Sequence, residues 1–108
     1  MSESVFVRDA DFTAVEKEIR NLLAATDRGE FDTELKKAGV TRNPNVKLTE
    51  GVKIEEGQGL SPDQWITIIT VFGPLAATIA KDVWQVVILP RLKRVFRPDS
   101  VSPTDPRQ

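Results

Sequence analysis

A long apolar segment, residues 65–89, constrains the fold more than any other part of the chain. Its apolar side chains recur at three- and four-residue steps, which is the period of a helix: Trp65, Ile68, Ile69, Phe72, Leu75, Ala76, Ile79, Ala80, Val83, Trp84, Val87 and Ile88. A straight helix of this length would extend roughly 37 Å. A helix that is apolar nearly all round must be covered by protein or lipid. The segment therefore predicts a helix that the rest of a small domain is too short to cover.

Helix signals frame this segment at both ends. Before it, Ser61 suits the N-cap, Pro62 the first helical position and Gln64 the capping-box position. Inside it, Gly73-Pro74 predicts a kink or a break, because proline removes a ladder hydrogen bond, and Pro90 repeats the problem near the end. The sequence thus predicts one long, kinked, apolar helix over residues 62–97.

The first part of the chain predicts a short strand followed by an amphipathic helix. Residues 4–8 are rich in β-branched and aromatic side chains, as strands are. From Phe12 to Thr26 the apolar residues follow the helical period, and residues 27–29 end the helix. Asp11 or Thr13 is the expected N-cap, and Glu16 stands three residues after Thr13, as a capping box requires.

A second, shorter helix and a second strand region complete the predicted fold. The helix spans residues 30–38, and Gly39 follows where a left-handed residue is needed. Alternating apolar residues predict a strand or hairpin within residues 46–55, interrupted at Glu50-Gly51. The predicted fold is α+β: a small sheet, formed by the N-terminal strand and residues 46–55, packs with an amphipathic helix and the long kinked C-terminal helix. Residues 1–97 form one predicted domain, and the Pro/Ser-rich residues 98–108 predict a flexible tail.

The composition excludes several classes of function. The chain has no Cys and no His, so zinc-thiolate sites, thiol nucleophiles and the commonest general base are all missing. Lys81 and Asp82 are adjacent, and adjacent residues do not face each other on a helix. Gly57-Gln58-Gly59 lacks both the third glycine and the Gly-Lys-Ser/Thr of nucleotide-binding loops. We therefore predict no catalytic residue, no metal site, no cofactor and no enzymatic activity.

The charges are balanced overall but unevenly distributed. The 15 Lys and Arg nearly match the 16 Asp and Glu, so no nucleic-acid partner is expected. Four basic residues cluster near the end: Arg91, Lys93, Arg94 and Arg97. This cluster either complements the helix dipole or docks on an acidic surface, such as the acid-rich first half of another copy. The N-terminal residues show no secretory pattern, and a cytoplasmic location is expected.

The uncovered helix gives the functional prediction. It lies either in the domain's own core, against a protein partner or second copy, or on a bilayer. The favoured reading is a non-enzymatic interaction module, an adaptor or self-association component, and its predicted contact residues are Trp65, Ile69, Phe72, Leu75, Ile79, Val83, Trp84, Val87, Arg91 and Arg94. The alternative is a membrane-associated protein in which residues 65–89 enter or lie on the bilayer, although the uninterrupted stretch 66–80 is shorter than the ~18 residues that a span needs.

One part of the chain resembles a known group of domains. Residues 57–96 combine a G-x-G lead-in, an apolar helix, Lys81-Asp82 and the closing sequence Ile-Leu-Pro-Arg-Leu-Lys. In this they are similar to the small effector-associated and trypsin-co-occurring accessory domains of bacterial conflict systems. The resemblance implies a non-enzymatic adaptor that couples a sensor to an effector through homotypic or partner contacts.

Overall fold

Four strands and four α-helices make up the described part of this computed structural model, residues 1–57 and 65–106. The strands are β1 (Ser2–Arg8), β2 (Lys53–Glu56), β3 (Trp65–Val71) and β4 (Val101–Ser102), and the helices are α1 (Phe12–Asp27), α2 (Asp32–Lys37), α3 (Ala77–Val83) and α4 (Leu89–Phe96). A π-helical turn, Trp84–Ile88, joins α3 to α4, and a 3-10 turn, Pro98–Ser100, precedes β4. The fold is α+β, as predicted.

The strands form one antiparallel sheet in the order β2-β3-β1-β4. β1 and β3 pair along their whole lengths, with Ser2 opposite Val71 and Arg8 opposite Trp65. β2 pairs with the second half of β3, and β4 pairs with only the last part of β1. The two long strands therefore lie at the centre of the sheet and the two short ones at its edges.

Helix α1 confirms the amphipathic prediction. Its buried residues follow the helical period: Val15, Ile19, Leu22, Leu23, Ala25 and Thr26. The helix ends at Asp27, and Gly29 has the left-handed φ of 84° that turns the chain. The N-cap is Asp11, but its side chain makes no capping hydrogen bond, and Thr13 lies inside the helix. The predicted capping box is therefore wrong.

Helix α2 is shorter than predicted, and it ends as expected. Gly39 has a φ of 81°, and the N–H of Val40 donates to the carbonyl of Leu35 at 2.9 Å. This is the bond pattern of a glycine-terminated helix. Leu35 is fully buried and anchors the helix in the core.

The predicted strand at residues 46–52 is wrong, because only Lys53–Glu56 forms a strand. Residues 46–52 form a loop held by Asp27, whose carboxylate accepts hydrogen bonds from the N–H of Leu48 at 2.8 Å and from the N–H and hydroxyl of Thr49 at 3.1 and 2.9 Å. These bonds fix the loop so that Leu48 is fully buried. The apolar alternation therefore reflects a loop that buries some of its residues.

The predicted long helix is wrong in its first part, since Trp65–Val71 is strand β3 at the centre of the sheet. Every residue from 66 to 71 is β-branched, and such side chains favour a pleated strand over a helix. The predicted helix start at residues 61–64 lies outside the described residues.

The two prolines act where they were predicted to act. Gly73-Pro74 lies in the turn that separates β3 from α3, so the segment is broken and not merely kinked. Pro90 has no N–H to donate to Val86, and the π-helical turn lies directly before it, with the N–H of Leu89 bonded to the carbonyl of Trp84. A wider turn at this point accommodates the missing bond.

The predicted flexible tail is wrong for its first residues. Pro98–Ser100 forms a turn, and Val101 lies opposite Val7 in the sheet with only 4% of its surface exposed. The apolar side chain of Val101 completes the core at this edge of the sheet, a gain that composition alone does not reveal.

All the described helices contribute to a core on one face of the sheet, here called the inner face. The strands supply Val5, Val7, Ile54 and Ile68, and Phe72 follows directly after β3. The helical layer supplies Val15, Ile19, Leu23, Leu35, Ala80, Val83, Trp84, Val87, Ile88 and Leu92. Trp84 is 2% exposed and meets Phe72 edge-to-face, with ring centroids 6.5 Å apart. The domain thus covers most of its own apolar segment.

Candidate functional site

The opposite face of the sheet carries a second apolar surface. Side chains alternate between faces along a strand, so the residues between the buried ones form an outer face. Four of them are large and apolar, and we call them the outer-face patch: Phe6, Trp65, Ile69 and Val71. All four are half-buried, and none belongs to the core or to the apolar residues packed against it in the described chain.

The strand register places the members of the outer-face patch side by side. Phe6 lies opposite Thr67, so its diagonal neighbours on β3 are Trp65 and Ile69. Val71 extends the row along the same face of β3. The patch is therefore one continuous stripe across the two central strands.

Arg8 stands at one end of the outer-face patch. It lies opposite Trp65, and its guanidinium carbon is 5.2 Å from the centre of the indole ring, close enough for a cation–π interaction. Its nitrogens are 3.7 Å from a carboxylate oxygen of Asp9 and 3.9 Å from one of Asp99. Trp65 is thus bordered by a charged group on the same face.

Polar residues border the outer-face patch at the two sheet edges. On β2, Lys53 lies opposite Val71 and Glu55 lies opposite Ile69, and both are exposed. On β4, Ser102 lies opposite Phe6. An apolar centre with a charged and polar border is the usual composition of a protein–protein interface.

The structure divides the ten predicted contact residues into several groups. Four are buried in the core of the same chain: Phe72, Val83, Trp84 and Val87. Ile79 packs against that core, Leu75 is 72% exposed in the turn before α3, and Arg94 is exposed on α4. Trp65 and Ile69 lie on the outer face. The structure therefore brings together only two of the ten as a candidate surface, and it assigns the four buried ones to the core.

Arg91, another predicted contact residue, is engaged within the chain. Its guanidinium donates to both carboxylate oxygens of Glu34, at 3.0 and 2.6 Å, and lies 4.0 Å from the centre of the Phe31 ring. The hydrogen bond from Arg91 is the main cause that lowers the pKa of Glu34, and the positive charges of Arg91, Arg94 and Lys37 lower it further. Arg91 therefore ties α2 to α4.

Sequence reasoning missed two members of the outer-face patch, Phe6 and Val71. The sequence predicts a strand at Phe6, but which face of that strand the helices cover depends on its pairing with β3. For Val71 the sequence predicts a helix, and the structure shows a strand. The unbroken β-branched run over residues 66–71 is the signal that identifies the strand, and with it the alternate face.

Two other features, a metal-binding cluster and a membrane-spanning helix, are absent from the described residues. These residues contain no group of three or more Asp, Glu, His or Cys side chains placed to hold a metal ion. Among the same residues, none of the helices combines the length and the hydropathy required to span a membrane.

Comparisons of this chain with protein-family models, with curated proteins and with solved structures found no match.

Proposed function

We propose that this protein is a non-enzymatic interaction module that self-associates through the outer-face patch. The proposal is supported by an apolar stripe on the sheet face that the described helices do not cover. An antiparallel sheet with one face in water normally alternates apolar and polar residues. Here Phe6, Trp65, Ile69 and Val71 occupy positions that such alternation assigns to polar side chains.

The composition of the patch suits an interface. Aromatic residues near the centre of an interface contribute much of the binding energy, and the patch contains a Phe and a Trp. Burying apolar surface stabilises a complex by about 25 cal/mol per Å². A second copy presenting the same stripe would remove both surfaces from water.

Charge also favours a second copy as the partner. The border of the patch carries Arg8 towards one end and Glu55 on the opposite side, so it presents both signs. A two-fold symmetric interface joins the same surface of two subunits, so a charge on one subunit faces a residue from the same patch on the other subunit. Such an arrangement allows Arg8 of one copy to approach Glu55 of the other.

The resemblance of residues 57–96 to accessory domains of bacterial conflict systems supports a biological role for this self-association. In that setting the self-associating module serves as a cytoplasmic adaptor between a sensor and an effector. Self-association through the outer-face patch does not depend on this biological role, because the patch is formed by the strands and their register alone.

Ile69→Lys tests the proposal by placing a charge at the centre of the patch. We expect the wild-type protein to show a molar mass that rises towards the dimer with increasing concentration, measured by size-exclusion chromatography with light scattering. Ile69→Lys should remain monomeric, because a charge buried in an apolar interface is strongly unfavourable. Circular dichroism should confirm that the variant keeps its fold.

Leu75→Lys is the matched control, because Leu75 is apolar and 72% exposed but lies outside the outer-face patch. It should associate like the wild type. A wild-type protein that stays monomeric at every concentration contradicts self-association, as does equal loss of association in both variants. A patch that binds only a different protein would show as a monomer alone and as an Ile69→Lys-sensitive complex with that protein.

A further inference from the structure

A surface cavity of about 300 Å³ lies beside α2, away from the outer-face patch. Five residues line it: Asp32, Lys36, Val40, Thr41 and Arg42. Two of the five are cations and one is an anion. The cavity combines charge with a size that suits a small ligand.

Arg42 is the fixed group of this cavity. Its side chain is 10% exposed, and its guanidinium makes a bidentate pair with Asp32, from Nε to Oδ1 at 2.9 Å and from Nη2 to Oδ2 at 3.3 Å. A bidentate pair holds the planar guanidinium in one orientation. The same bonds lower the pKa of Asp32, so the carboxylate stays ionised and continues to accept both hydrogen bonds from Arg42.

The third nitrogen of this guanidinium, Nη1, takes no part in the pair with Asp32. Nη1 of Arg42 is buried and has no hydrogen-bond partner among the described residues. A buried charged donor without an acceptor is costly, and an acceptor that reached it would gain a strong charge-assisted bond. The orientation that Asp32 imposes therefore leaves one strong donor unused.

Gly29 makes room for this arrangement. A Cβ at this position would lie 3.1 Å from Oδ2 of Asp32 and 3.3 Å from Nη2 of Arg42, and the φ of Gly29 is 84°. Any other residue would therefore press on the ion pair and adopt a strained backbone. Gly29 thus permits the Asp32–Arg42 pair to form close against the end of α1.

Lys36 adds a second positive charge. It lies one turn after Asp32 on α2, lines the cavity, is exposed and has no ion pair within 4 Å among the described residues. The five lining residues therefore carry one net positive charge. Asp27 lies outside the lining and keeps its negative charge, which acts on Arg42, while its carboxylate accepts hydrogen bonds from Leu48 and Thr49.

We propose that this cavity binds a small oxyanion, a phosphate or a carboxylate, which accepts hydrogen bonds from Nη1 of Arg42 and from the ammonium of Lys36. Nη1 has almost no accessible surface in the free protein, so binding requires the lining of the cavity to shift and expose this nitrogen. The exposed side chains of Lys36 and Thr41 are the lining groups that have room to shift.

An NMR titration of the full chain tests this site. Sodium phosphate and sodium acetate are added in separate titrations, each compared with sodium chloride at the same ionic strength. We expect the amide signals of Thr41 and Arg42 and the side-chain Nε signal of Arg42 to shift and to saturate, with a Kd on the order of 1 mM. The relative Kd values of the two anions show whether the site prefers phosphate or carboxylate.

Lys36→Gln and Lys37→Gln form a matched pair of variants, since both remove one charge from the exposed surface of α2 and only Lys36 lines the cavity. Lys36→Gln should weaken binding about tenfold, because it removes one charge-assisted hydrogen bond, while Lys37→Gln should leave it within about twofold of the wild type. Arg42→Gln should abolish binding, and Lys36→Gln keeps the test valid if that variant does not fold. Absent or unsaturated shifts with both anions, or equal effects of Lys36→Gln and Lys37→Gln, overturn the proposal.

Discussion

The two faces of the sheet are built from the same strands, yet they have different surroundings. On the inner face, Val5, Val7 and Ile68 have no exposed surface because the helical layer covers them. On the outer face, Phe6 and Ile69, the next residues along the same strands, keep part of their surface exposed. The strands are thus apolar on both sides, and the described helices pack on only one of them.

The two faces separate the residues that stabilise the fold from those that would mediate association. Residues of the inner face should determine the free energy of unfolding of a single molecule. Residues of the outer face should determine whether molecules associate, and should matter little to the stability of one molecule alone. Neighbouring residues on one strand therefore offer matched pairs for testing the distinction.

The largest expected contrast is between Ile68→Ala and Ile69→Ala, which remove the same atoms from opposite faces of β3. Ile68 is fully buried, so its loss should lower the free energy of unfolding by about 2–5 kcal/mol. Ile69→Ala should cost less than about 1 kcal/mol in the monomer, because its side chain is only half-buried. Urea denaturation at low protein concentration measures both. Equal losses would show that the outer face belongs to the folding core.

A smaller effect is expected from the one polar side chain among the buried residues of β3. Thr70 has no exposed surface, and its hydroxyl has no hydrogen-bond partner among the described residues. Thr70→Val keeps the shape and removes the unsatisfied hydroxyl, so stability should rise by about 1 kcal/mol. Thr67→Val on the half-buried outer face is the control and should change stability by less than about 0.5 kcal/mol. A loss of stability in Thr70→Val would mean that the hydroxyl has an acceptor after all.

The sequence was sufficient to predict the elements whose signals are local. Helices α1 and α2 follow from an amphipathic period and from Gly29 and Gly39 at their ends, and β1 follows from its composition. The break at Gly73-Pro74 likewise follows from the chemistry of proline. Each of these predictions needs only residues that lie close together along the chain.

The rest depended on contacts between distant residues. In β3 every position is apolar or Thr, so a helical period and a strand both fit. The choice is made by pairing with β1, whose residues lie between 57 (Arg8–Trp65) and 69 (Ser2–Val71) positions away along the chain. The loop at residues 46–52 depends on Asp27 in the same way. The candidate surface was therefore only partly predictable: Trp65 and Ile69 were identified as contact residues, but on a helix, and Phe6 joins them only through the register of the sheet.

The smallest expected effect on stability comes from the ion pair that joins two helices of the layer over the inner face. Glu34 and Arg91 join α2 to α4 by a bidentate pair at the surface, and this pair lowers the pKa of Glu34. A carboxyl whose pKa is lower in the folded state stabilises the fold above its unfolded pKa, and this contribution is lost as the pH falls through its folded pKa. The wild type should therefore be more stable than Glu34→Gln by less than about 1 kcal/mol at neutral pH, since the Glu34 side chain is 48% exposed. The difference should shrink once the pH falls below the ordinary Glu pKa of about 4.3 and vanish below the lowered pKa of the folded state.

Urea denaturation of both proteins across this pH range measures the difference, and the variant Arg91→Gln provides the control. Arg91→Gln should lose at least as much at neutral pH, since Arg91 also contacts the Phe31 ring, and adding Glu34→Gln to it should cost little more, because the partner is already gone. A difference between the wild type and Glu34→Gln that persists in acid would show that Glu34 acts through packing and not through its charge. In that case packing, and not the ion pair, would hold α2 against α4 in the helical layer over the inner face.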